Sequence, residues 1–108
     1  MEKLRVGLEW FLNPDHIPLI LGIEKGWFKE QNLEIEMIEP KEHFDALDEI
    51  EKGTMDIAIT EPIHLVEDKA SNQNVVGFAR FLHTNGGIMY KKDKGIKTPK
   101  DLIGKRLQ

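Results

Sequence analysis

Leu4, Val6 and Leu8 alternate with Arg5, Gly7 and Glu9, the period of a strand, and the Asn-Pro pair at Asn13 and Pro14 ends that pattern in a turn. From His16 to about Lys25 nearly every position is apolar until Glu24, which predicts a largely buried helix with Pro18 tolerated in its first turn and Asp15 as its N-cap. Gly26 stops this helix, and WFKEQ forms a short extra turn. Leu33, Ile35 and Met37 then alternate with Glu34 and Glu36, a second strand with one wet face near a sheet edge, closed by Pro40.

Phe44, Leu47 and Ile50 recur at helical spacing opposite Asp45, Asp48, Glu49 and Glu51, and Gly53 stands where a C-cap belongs. Met55 to Thr60 reads as a short apolar strand. Pro62 opens a third helix, with Ile63, Val66 and Ala70 on one face. Val75 to Ala79 and Gly87 to Tyr90 read as strands separated by the turn Thr84, Asn85, Gly86. The tail from Thr98 reads as one helical turn, a glycine and the start of another strand. Strands alternating with helices predict an α/β fold with a mostly parallel sheet and flanking helices.

The chain of 108 residues is 40% hydrophobic and 31% charged, enough for one small globular unit. With a formal net charge of −4 and scattered basic residues, it lacks the Lys and Arg stripe that a nucleic-acid partner requires. It has no cysteine, which removes disulfides, thiolate metal sites and cysteine nucleophiles. No apolar run approaches the roughly 20 residues of a bilayer span, so direct membrane insertion is not expected. No signal-peptide pattern opens the sequence.

In an open parallel sheet, ligands collect beyond the carboxyl ends of the strands. That rule selects Trp10, Asn13, Asp15 and His16 after the first strand, Pro40 to His43 after the second, Thr60, Glu61 and His64 after the third, and Phe81, His83 and Asn85 after the fourth. The set offers aromatic faces, a carboxylate and neutral donors and acceptors, and suits a flat, nitrogen-rich ligand. Each residue also has a local reading. Trp10 caps the core or stacks on a ligand; Asn13 forms the turn or contacts a ligand; His16 and His64 bond the backbone or a ligand. His43, the acidic run Glu34 to Glu39 and the acidic face of the second helix read as solvated surface. The candidate ligand-binding set is Trp10, Asn13, His16, Glu61, His64 and His83. The four histidines lack metal-ligand spacing, Ser71 has no glycine elbow, and KDKGIK (Lys92 to Lys97) has one glycine where a phosphate-cradling loop needs several.

The stretch VGLEWFLNPDHIPLILGIEKGWFKEQNLEIEMIEP (Val6 to Pro40), with EKGTMDIAI and the TPKDLIGKRL tail, resembles the thiamine-pyrimidine-precursor family of type II periplasmic binding proteins. The resemblance implies two lobes around a ligand in a longer protein, with residues 1–97 in the first lobe and 98–108 starting the crossover to a second. The family it resembles holds both transport receptors and a pyrimidine synthase, and because Thr60 stands where the synthase has its lysine, the chain reads as a solute-binding component of an ABC importer, not an enzyme, needing no cofactor. Such a component takes a small aromatic, pyrimidine-like ligand, works with a membrane permease and resides outside the cytoplasm. Sulfonate- or nitrate-like anions are the other ligand class.

The alternative within the same resemblance is a divergent pyrimidine-precursor synthase. That enzyme resembles the receptors in fold but carries a lysine for pyridoxal phosphate, a histidine consumed as substrate, and an iron site that would lie beyond Gln108. Thr60 stands at the lysine's position and His64 at the histidine's. A signalling receiver domain has similar length and alternation, but Trp10 and Thr60 replace its acidic residues. A first lobe alone would also leave a free strand edge and exposed aromatic surface, which favours self-association.

Overall fold

The computed structural model describes residues 1–42, 46–83 and 86–107. The first alternating run forms β1 (Glu2–Gly7), followed by a 3₁₀ turn (Pro14–His16) that leads directly into α1 (Ile17–Glu24). After the short α2 (Trp27–Glu30) comes β2 (Leu33–Ile38), then α3 (Ala46–Glu51), β3 (Ile57–Ala58) and α4 (Pro62–Ala70). The three strands form a parallel sheet in the order β2-β1-β3. β1 pairs with β2 from Glu2↔Leu33 to Gly7↔Ile38, and with β3 at Val6↔Ile57 and Gly7↔Ala58. β2 therefore lies at an edge, as its wet face predicts. The sheet's carboxyl ends all point one way, so the segments after β1, β2 and β3 share one rim.

The core sits at that end of the sheet. Val6 and Leu8 are buried, with Met55 and Val75 beside them. Met55 leaves no room for a side chain on Gly7. On the wet side, Arg5 ties β1 to the β3 approach. Its Nε and Nη2 donate to the two Asp56 oxygens at 3.0 and 2.8 Å, while its backbone N–H donates to Asp56 Oδ2 at 2.8 Å. These bonds, the guanidinium foremost, lower the Asp56 pKa to about 2.

Several sequence expectations change. α1 is not largely buried: only Gly22 is, with Phe28 packed where a Cβ would stand, whereas Ile17 and Leu21 are more than 40% exposed. Apolarity on every side predicts burial only when something covers every side, and α1 packs on α2 and the 3₁₀ turn. In α4, Ile63 and Val66 likewise face solvent, while Leu65 packs against Gly77. The strand expected at Met55 to Thr60 shrinks to two residues. Val75 to Ala79 and Gly87 to Tyr90 are not strands, because among the described residues no neighbouring strand accepts their backbone hydrogen bonds. Val75 is buried, but Val76, Phe78, Ile88 and Met89 are exposed.

The radius of gyration, 18.2 Å, exceeds the roughly 13 Å of a compact domain this long, in keeping with that extended C-terminal third. Two local expectations hold. Gly53 follows α3 at φ 77° with its N–H on the Ile50 carbonyl, and PKDL forms a 3₁₀ turn capped by Thr98 and Asp101. The strand expected after it does not form within residues 103–107. The expectations at His43, Phe44, Asp45, Thr84 and Asn85 lie outside the described residues. No described helix is long and apolar enough to cross a membrane.

Candidate functional site

The rim after β1 is built by a closed set of local hydrogen bonds. Leu8 N–H donates to the Ile38 carbonyl at 2.9 Å, ending the ladder, and the chain then turns through Glu9 to Asn13. Asp15 does not cap α1, whose N-cap residue is His16, without a side-chain cap bond, and Asn13 caps the 3₁₀ turn, its Oδ1 accepting the Asp15 N–H at 2.9 Å. Its Nδ2 donates to the Phe11 carbonyl at 2.8 Å, so one side chain fixes both sides of the bend.

His16 completes the box. It is 0% exposed, and its Nδ1 lies 3.1 Å from the Asn13 backbone N–H. A backbone N–H can only donate, so Nδ1 accepts and the ring hydrogen resides on Nε2. Nε2 stands 3.1 Å from each Glu9 oxygen and donates there. The Phe81 ring stacks beside the imidazole at a centroid distance of 6.5 Å, bringing the segment after Val75 to this rim. From β2's end, Glu39 Oε2 accepts the Leu12 N–H at 3.1 Å. Glu39 is thus not merely solvated surface, and Glu9, which the alternation places on the wet face of a strand, holds a buried histidine. The usable signal for Glu39 is its position, Glu before Pro at the carboxyl end of a strand.

This scaffold presents two aromatic rings outward. Trp10 is 56% exposed and Phe11 55%, tilted against one another with centroids 5.3 Å apart. The rim after β3 is looser. Glu61 is the N-cap residue of α4 but makes no side-chain cap, and its carboxylate lies 3.6 Å from His64 Nε2, with both side chains more than half exposed. Glu67 lies 3.9 Å from the other ring nitrogen. His83 is exposed, and its Nδ1 accepts from Arg80 at 2.9 Å.

Asn13, His16, Glu9 and Phe81 are thus linked at the loop that carries Trp10, and Glu39 bonds that loop at Leu12, whereas Glu61 pairs with His64 and His83 with Arg80. No hydrogen bond or ion pair among the described residues links those pairs to the first group, although β1 and β3 are parallel neighbours whose ends share the rim. Among the described residues no three His, Cys, Asp or Glu side chains gather as a metal ion requires.

The parallel sheet with its flanking helices is an α/β fold of the type II periplasmic-binding-protein class. The chain belongs to the NMT1/THI5 like family, which matches residues 13–108. It is 29% identical to a 4-amino-5-hydroxymethyl-2-methylpyrimidine phosphate synthase of Legionella pneumophila, over 98% of this chain and 34% of the relative. It is 32% identical to the synthase of that name from Aspergillus parasiticus, over 98% of this chain and 32% of the relative. With the Saccharomyces cerevisiae synthase THI11 the identity is 34%, again over 98% and 32%. The chain spans about a third of the length of these relatives. Their names correct the expectation that the protein is not an enzyme: these three relatives are named as synthases.

The family's pyridoxal phosphate does not fit residue 60. The end of β3 offers the Thr60 hydroxyl, the Glu61 carboxylate and the His64 imidazole, and an imine needs a primary amine.

Proposed function

We propose that the chain forms part of the first lobe of a synthase-class protein of thiamine-pyrimidine biosynthesis, and that the rim from Glu9 to His16 is half of its ligand mouth. The full coverage of this chain by synthases of the pyrimidine phosphate carries the reading. The site supports it. Trp10 supplies a ring face for stacking, which small-molecule pockets combine with a few oriented polar groups. Asn13 and His16 hold the loop that carries it, and Glu61, His64 and His83 are the polar partners on the adjoining rim. Residues 1–97 belong to the first lobe and 98–108 lead toward a second, in keeping with relatives about three times as long.

His64 stands where the resemblance places a substrate histidine, four residues after Thr60. Because Thr60 has no amine, this chain's part in the reaction does not run through an imine at residue 60. The test is complementation of a bacterium that lacks pyrimidine-precursor synthesis with the full-length protein, wild type and H64A. Growth without added pyrimidine, lost in H64A, is expected. No growth from a folded protein that binds an aminopyrimidine in calorimetry would replace the synthase reading with that of a solute receptor.

A further inference from the structure

We propose that Glu9 is the specificity-determining acceptor of this site, reading the amino group of a heteroaromatic ring stacked on Trp10, and that His16 is its positioning residue. This rests on the pyrimidine reading above. The observation behind it is the direction of the hydrogen bonds at His16. A fully buried imidazole that accepts the Asn13 N–H on Nδ1 has one ring hydrogen, on Nε2, and shares it between the two Glu9 oxygens. A carboxylate has about four lone-pair sites, so one shared donor leaves most of them open. The Glu9 side chain is 29% exposed, and among the described residues no Lys or Arg pairs with it.

The chain therefore sets an oriented carboxylate with open lone-pair sites next in sequence to an outward-facing tryptophan, on the rim where ligands of such sheets bind. Glu39 reaches this loop from the end of β2 and accepts the Leu12 N–H. An exocyclic amine, or an amine conjugated to a protonated ring nitrogen, is the donor that this carboxylate selects. An anion is repelled by it, which sets the site against sulfonate- and nitrate-like ligands.

The experiment is calorimetry on the full-length protein with 4-amino-5-hydroxymethyl-2-methylpyrimidine and with the same ring lacking the 4-amino group. Wild type should prefer the amino compound. Glu9→Gln keeps an oxygen that accepts from His16 but loses the charge, and the ratio of the two affinities should fall roughly tenfold or more with the fold retained in circular dichroism. His16→Leu, which fills the space but has no donor, should, once checked for folding by circular dichroism, lower the same ratio by releasing the carboxylate. An unchanged ratio in Glu9→Gln overturns the assignment of Glu9 while the pyrimidine reading stands. A wild type that binds neither ring, or favours taurine or nitrate over both, overturns both.

Discussion

Arg5 and Asp56, 51 residues apart in sequence, meet through two side-chain hydrogen bonds of 3.0 and 2.8 Å and a third from the Arg5 backbone. The pair fastens β1 to a β3 of only two residues, so it supports the narrowest part of the sheet. The guanidinium holds the folded pKa of Asp56 at about 2, below its ordinary value of 3.8. A group depressed in this way stabilises the fold above its unfolded pKa and loses that contribution as pH falls from about 4 through about 2. Melting temperatures measured from pH 6 to pH 2 should show wild type above Asp56→Asn at neutral pH and the two converging in that acid window. A constant gap down to pH 2 would mean that the charge contributes nothing.

His16 is buried with both ring nitrogens engaged, so its removal affects folding as well as binding. His16→Ala opens a cavity and strands the Asn13 N–H, at a cost of about 2–4 kcal/mol in denaturant unfolding. His16→Gln retains a donor and an acceptor and should cost less than half as much. Equal losses would show that neither the hydrogen bonds nor the volume that Gln restores sets the effect.

Phe28 packs against Gly22 where a Cβ would stand, and this contact joins α2 to α1. Gly22→Ala should therefore destabilise the protein by about 1–3 kcal/mol despite the better helix propensity of alanine. A double-mutant cycle with Phe28→Leu should recover part of that loss. Additive losses would place the clash elsewhere.

Much of this was legible in the chain and some was not. The alternation at Leu4, Val6 and Leu8 and at Leu33, Ile35 and Met37 marks two strands because a half-buried strand needs period two. The Asn-Pro turn, Gly53 and Pro62 mark element ends because their backbone preferences act locally. Val75 to Ala79 and Gly87 to Tyr90 have equally strand-like composition, but a strand requires a hydrogen-bonding neighbour that no local pattern supplies. The loop after β1 was legible as a candidate through Trp10 and His16, which the structure places on one bend. The roles of Glu9 and Glu39 were not, because a glutamate bonded to a residue 7 or 27 positions away looks in sequence like any solvated carboxylate.

Trp10 is more than half exposed and supports little of the core. Trp10→Ala should change unfolding free energy by less than about 0.5 kcal/mol. The loss of ring stacking should weaken aminopyrimidine binding by the full-length protein roughly two- to tenfold. A large stability loss with unaltered affinity would make Trp10 a core residue.

The most direct measurement is a crystal structure of the full-length protein with 4-amino-5-hydroxymethyl-2-methylpyrimidine. The expected result is the pyrimidine ring lying face to face with Trp10, its amino group on the Glu9 carboxylate. A ring bound away from the β1 rim, with Trp10 packed against protein, would contradict the ligand mouth proposed here.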